Sequence, residues 1–286
     1  MSTLTWANLK HMALFLRLGR NPAATVYESI GPEFFIAPAP GWLNLGLWDE
    51  TVPHGDGLAA VRQLVSTLAE RLPKGGVVFD VGNGLGAQDP VIREVAQPRE
   101  LVAINITEAQ LRQGQARLEE ADAHAINADA THIPLKDASV DGVISVEAAF
   151  HFPSRAAFFA ECKRVLRPGG VLSMSDVSAE RLLLRPDELF AGATNLRVWG
   201  LKARNMASAE RIREQIVDSG FIDVEVRRCG DEVIGPAVAY LRERMGQAGE
   251  APAVLKWASR LLLAQWDLLH RRGAIEYLLI TARTPA

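Results

Sequence analysis

Cysteine is scarce, with Cys162 and Cys229 the only two in 286 residues. Two cysteines build neither a disulfide framework nor a cysteine-rich zinc site, and both read as buried thiols of a reducing compartment. Long apolar runs are missing as well: nothing approaches the roughly 18 apolar residues of a membrane span. The nearest stretch, Trp6 to Leu18, is interrupted by Lys10, His11 and Arg17 and precedes no small-residue cleavage site, so a signal peptide is not expected. Excess positive charge is absent too. A formal net charge of -3 leaves no basic footprint for nucleic acid. The chain also lacks an HExxH motif or a paired carboxylate and histidine cluster, so no metal dependence is expected. These absences describe a cytoplasmic protein with no nucleic-acid partner and no stable membrane span; the oligomeric state is not written in them.

What is present is an ordinary globular balance, 48% hydrophobic and 23% charged, in a chain long enough for one sizeable core and a smaller cap. The organising stretch is Val77 to Gly86, VVFDVGNGLG. An apolar run too short for a helix feeds a loop with three glycines in five positions, Gly82, Gly84 and Gly86, whose backbone must approach something closely. Further strand candidates are Leu101 to Ile106, Ala125 to Ala128, Gly142 to Val146 and Val171 to Ser175. Helical patterns lie between them at Pro90 to Ala96, Glu108 to Ala121 and Arg155 to Leu166, the βαβ rhythm of a parallel sheet. Arg167-Pro168-Gly169-Gly170 reads as the stop of the last helix. A helix at Ala207 to Ser219 and strands at Ile222 to Arg227 and Ala274 to Ala282 complete a doubly wound, mainly parallel α/β sheet of seven strands.

Residues 1–55 are expected to form an N-terminal helical lid: a helix at Leu4 to Leu18, a second at Pro22 to Ile30 carrying Tyr27, then a proline-rich stretch with the aromatic run Trp42 to Trp48. Residues 56–286 form the main domain, with helical cap insertions at about 178–205 and 237–270. Leu182 to Leu184, Leu189, Phe190, Trp199 and Tyr240 would give the cap mostly apolar walls.

The glycine loop spells GxGxG, with Asp80 before it and Asn105 closing the next strand, and not the GxGxxG followed by an acidic residue that serves a nicotinamide dinucleotide. DVGNGLG, NADATHIPL at 127–135, DGVISVEAAFHFPSR at 141–155 and ECKRVLRPGGVLSMSD at 161–176 resemble, in order, the motifs of the S-adenosylmethionine-dependent methyltransferases of Rossmann-like fold. LNLGLWD near residue 46 and INITEAQ at 104–110 narrow the likeness to the small-molecule methyltransferases of natural-product, sugar, sterol and lipid pathways. The resemblance implies S-adenosyl-L-methionine as cofactor. It places Asp80, Gly82, Asn83, Gly84 and Gly86 at the methionine part, Asn105 at the ribose hydroxyls, Asp129 with Ala130 at the adenine and Gln110 near the cofactor; Glu147 is expected to contact the cofactor or act as a base, and Tyr27 to contact the cofactor as the N-terminal lid closes over it. Gln110 also fits a capping box with Thr107.

For catalysis the resemblance points to Val146 to Pro153, after the fourth strand. His151 matches a histidine used as general base in some relatives, Glu147 is a second base or a cofactor contact, and Asp176 is placed to orient His151. The implied activity is methyl transfer to a hydroxyl of a small, partly apolar metabolite. Carbon or nitrogen methylation of a similar molecule, and a cofactor-binding protein without catalysis, stay open on the sequence.

Overall fold

The computed structural model of the protein describes residues 37–247 and 253–286. The expected helices at Leu4 to Leu18 and Pro22 to Ile30, Tyr27 included, lie outside the described residues.

Seven segments are strands: Val77–Val81 (β1), Glu100–Asn105 (β2), Ala123–Asn127 (β3), Val140–Val146 (β4), Leu166–Ala179 (β5), Ile222–Arg228 (β6) and Ile275–Arg283 (β7). They form one sheet in the order β3-β2-β1-β4-β5-β7-β6. The first five pair in parallel, and β7 runs antiparallel between β5 and β6. Helices occupy Gly57–Ala69 (α1), Asp89–Ala96 (α2), Glu108–Gln113 (α3), Gln115–Glu120 (α4), Arg155–Val165 (α5), Pro186–Val198 (α6), Ala209–Asp218 (α7), Gly230–Gln247 (α8) and Ala253–Arg271 (α9).

The two-residue period of the strands sorts the core into two layers. Val78 shares one cluster with Leu64 and Leu68 of α1, Ile92 of α2 and Val238 of α8, whereas Val77, Phe79 and Val81 share the other with Phe158 and Phe159 of α5 and Ile212 of α7. Strand order reverses between β1 and β4, and the crevice outside their carboxyl ends is where such sheets bind ligands.

Three expectations are corrected here. The helix read over Glu108 to Ala121 is broken at Gly114, because the glycine loop packs against it: a Cβ on Gly114 would sit 2.6 Å from the Leu85 carbonyl oxygen. The capping box does not form, since the Thr107 side chain makes no cap bond. The helix before Arg167 to Gly170 does end, at Val165, but the strand expected to start at Val171 begins already at Leu166, so these four residues belong to β5, held there by Gly170 N–H donating to Thr284 Oγ1 (2.9 Å) and Gly169 N–H to the Pro285 carbonyl (3.1 Å). The sequence shows a turn-forming Pro-Gly-Gly; the partner that makes it strand lies more than a hundred residues away.

The cap is built from α6, α8 and α9. Leu184, Leu189 and Phe190 are exposed and do not line the cavity under the cap, whereas Leu182, though 81% exposed, Leu183 and Trp199 do, so only part of the expected apolar wall faces a ligand. Tyr240 also serves elsewhere, donating to the Pro38 carbonyl (3.2 Å) beside Trp48. Among the described residues no helix is long and apolar enough to cross a membrane, and no group of three or more His, Cys, Asp or Glu side chains is placed to hold a metal ion.

Candidate active site

At the carboxyl ends of β1, β2 and β4 lies a cleft lined by Gly82, Asn83, Gly84, Asn105, Gln110, Asp129 and Ala130. Gly82 and Gly84 have φ of +82° and +58°, and a Cβ on Gly82 would meet Ala148 Cβ at 2.6 Å. Any side chain there would fill the cleft floor, so the glycines let a ligand touch backbone. Asn83 Nδ2 donates to Asp89 Oδ2 (3.1 Å), while Asn83 Oδ1 is buried with no partner among the described residues. An orphaned acceptor at the floor of a cleft suits a donor carried by the ligand. At the other end one oxygen of Asp129 accepts from the Thr131 N–H and Oγ (2.8 Å each), and its second oxygen accepts nothing from the described residues. A fixed carboxylate with one oxygen to spare is suited to an exocyclic amine. The cleft therefore fits the expected S-adenosylmethionine at both ends.

Several expected contacts take different parts. Asp80 faces α2, because residues 78 and 80 share a strand face, and both its oxygens accept from Gln88 Nε2 (2.8 and 2.7 Å). It supports the loop from behind, and Gln88, which the sequence did not single out, lines the cleft in its place. Burial, with Asp89 beside it, pushes the Asp80 carboxyl well up, and burial carries Asp89 to about 7. Gly86 packs against Gly114 rather than the cleft. Asn105 donates to the Gly84 carbonyl and Gln110 Oε1 (3.0 Å each) and accepts from the Thr107 N–H (2.9 Å). Both its N–H groups brace the loop, so only a lone pair on Oδ1 is left for a ribose hydroxyl.

A second cavity of about 340 Å³ opens under the cap and adjoins the first; Leu43, Asn44, Glu147 and His151 line both. Its size suits a small organic ligand. Glu147 follows β4 with φ +49°, a left-handed backbone that costs a residue with a Cβ roughly 1–2 kcal/mol. It is held there from several sides. Ser175 Oγ contacts the Glu147 N–H (3.0 Å), and Glu147 Oε1 accepts from the Leu45 N–H and the Tyr277 hydroxyl, both at 2.7 Å. Oε2 accepts nothing from the described residues. Burial pushes the Glu147 carboxyl up to about 7, against the pull of those two donors. Tyr277, on β7, was not singled out; a lone tyrosine inside an apolar strand is the signal that could have found it.

His151 sits on the turn Ala149–His151, bonded to the Trp199 backbone, and burial holds its conjugate acid down at about 3. Asp176 does not orient it. Asp176 is fully buried and is gripped by Arg155, Nε to Oδ2 at 2.7 Å and Nη2 to Oδ1 at 3.1 Å. Arg155, itself 1% exposed, also reaches the carbonyls of Val177 and Asn205. The Asn205 side chain donates to the carbonyls of Ala149, Phe150 and Phe152 (3.1–3.4 Å). The pair thus anchors the turn that carries His151 through its backbone, not through its ring.

Residues 79–174 match a family model described as a methyltransferase domain. Over 280 residues the chain is 28% identical to the erythromycin 3''-O-methyltransferase of Saccharopolyspora erythraea, covering 92% of this chain and 90% of that protein. It is 31% identical over 198 residues to the dimethylglycine N-methyltransferase of Parasynechococcus marenigrum, covering 62% of this chain and 69% of that one. Among solved structures, the cyclopropane synthase MmaA2 from Mycobacterium tuberculosis superposes with a TM-score of 0.76 at 17% identity, over 93% of this chain and 99% of that one.

Proposed function

The chain belongs to the S-adenosylmethionine-dependent methyltransferases, and from that premise we propose that it methylates a hydroxyl of a small, natural-product-like molecule seated in the cavity under the cap. The observation that carries this reading is the wall shared by the two cavities, where Glu147 stands with one carboxylate oxygen fixed by Leu45 and Tyr277 and the other open. When bound, S-adenosylmethionine supplies a methyl group already activated on a sulfonium. The protein's own task is alignment and removal of the hydroxyl proton. Glu147 takes that proton: a base with a pKa near 7 is best matched to neutral pH, whereas His151, held at about 3, is a poor acceptor of protons. His151 instead shapes the wall. The relative named for a 3''-O-methyl transfer supports oxygen as the target, and the one named for dimethylglycine makes nitrogen the rival.

The test is to supply labelled S-adenosylmethionine with paired acceptors that differ only in hydroxyl, amine or activated carbon. Transfer confined to amines or carbon would overturn the oxygen assignment.

The adenine end carries its own expected result. Asp129→Ala removes the fixed carboxylate and should weaken S-adenosylmethionine binding by about 1.5–3 kcal/mol, roughly 10- to 150-fold. Calorimetry returning the wild-type affinity would take Asp129 out of the cofactor site.

A further inference from the structure

The polar groups around the cavity under the cap can be counted donor by donor. Arg181 is the cation among its described lining residues. A guanidinium has five N–H donors. In Arg181 Nε and one Nη2 hydrogen go to the Arg272 carbonyl (3.3 and 3.0 Å), one Nη1 hydrogen goes to the Leu182 carbonyl (3.1 Å), and the remaining two go to the buried Glu188 carboxylate (3.0 and 2.9 Å). None is left for a ligand. Ser178 spends its hydroxyl hydrogen on Glu180.

Asn195 is saturated in the same way. Its Nδ2 donates to the Ala191 carbonyl (2.9 Å) and to Gln265 Oε1 (3.0 Å). Its Oδ1 accepts from the indole nitrogens of both Trp199 (3.2 Å) and Trp266 (2.7 Å). One amide thus turns the polar edges of two tryptophans toward itself and fixes the rings, 5.7 Å apart, in the cavity wall. What remains of the indoles is carbon surface. At the opposite end, beside the methyl-donor cleft, Glu147 Oε2 and Asn44 Nδ2 have no partner among the described residues.

We infer that the acceptor carries no anionic group, with its one polar end at Glu147 and Asn44 and an apolar body resting on the Trp199–Trp266 platform that Asn195 holds in place. An anion such as a phosphate or carboxylate on the distal body would find no spare side-chain donor among the described residues there and would lose hydration that they do not replace. The inference rests on the cavity being the acceptor site, as proposed above, but not on which atom is methylated. Asn195 is a positioning residue, acting through the two rings.

Binding is the test, read by intrinsic tryptophan fluorescence of the full chain in the presence of S-adenosylhomocysteine. The probes are decan-1-ol below its solubility limit, and decanoate and decyl phosphate below their micelle concentrations. Decan-1-ol is expected to bind at least about tenfold more tightly than either anion. A tighter anion, or no binding of the alcohol, would overturn the inference while leaving methyl transfer to a hydroxyl intact; alcohol binding without hydroxyl methylation would do the reverse. Asn195→Leu frees both indoles and should weaken decan-1-ol by about tenfold or more, with a changed near-ultraviolet circular dichroism and an unchanged S-adenosylhomocysteine affinity. Asn195→Asp keeps the oxygen that both indoles need, and Gln265, whose Nε2 has no partner among the described residues, can turn it toward the new carboxylate, which gives up only the bond to the Ala191 carbonyl. It should therefore restore both signals. An Asn195→Asp protein as impaired as Asn195→Leu would remove the platform from the argument, even if Asn195→Leu folds poorly.

Discussion

Glu147→Gln is expected to lower the turnover number by about 10²- to 10⁴-fold, the usual worth of a general base, while S-adenosylmethionine affinity changes little. Glutamine keeps an oxygen for the Leu45 N–H and the Tyr277 hydroxyl, so the wall should stay assembled and only the proton acceptor is lost. The sign of the pH dependence follows from the same group. The base works ionised, so the wild-type rate should rise with pH through about 7 and then level, and the rising limb should vanish in Glu147→Gln. His151→Ala should retain that limb, because an imidazole held at about 3 is already neutral across the range. A Glu147→Gln enzyme of normal turnover, or a limb that disappears with His151 instead, would return the proton to His151 as the sequence alone suggested.

The second large effect falls on stability. Arg155→Met leaves the fully buried Asp176 without its ion-pair partner, which costs about 3–5 kcal/mol. For a chain of this size that is a fall in melting temperature of roughly 6–20 °C. The double variant Arg155→Met/Asp176→Leu removes both charges and should recover most of the loss, since a buried ion pair is worth little against apolar groups of similar volume. Thermal unfolding of the three proteins decides it. A single variant that melts with the wild type, or a double variant that melts below the single one, would mean that the pair is not acting as a buried couple.

Much of the fold is legible in the sequence. The glycine loop and the alternating strands are local patterns, and local chemistry writes them: an apolar run of β-type residues, then glycines where a backbone must approach a ligand. Asp129 was named through the family resemblance, and the structure places it in the lining of the cleft. The role of Asp176 was not legible, because its partner Arg155 lies 21 residues away and only the adjoining ends of β5 and α5 bring them together. Asp80 misled through parity. On a strand the side chain one place along faces the opposite layer, and the last acidic residue of β1 turned to α2 and Gln88 instead of the cleft. The choice between Glu147 and His151 depends on which side chain loses more solvent and which gains donors, and the donors come from Leu45 and Tyr277, 102 and 130 residues away in the chain.

The position of β7 has a consequence for how the protein is made. β5 is synthesised early and its far edge is completed only by β7, as Gly170 and Thr284, 114 residues apart, attest. Until β7 emerges from the ribosome, the nine residues of β5 from Val171 to Ala179 leave one edge of peptide groups unpaired, a template for pairing between nascent chains. β6 waits too, because its pairing partner is the same late strand. A chain ended after Ala274 should therefore collect in aggregates or on chaperones, whereas the full chain is released folded. Sedimentation of the two translation products would show it, and a truncated product that stays in the supernatant unaided would refute it. Tyr277 arrives with that strand, so the Glu147 carboxylate gains its hydroxyl partner only after β7 has been made.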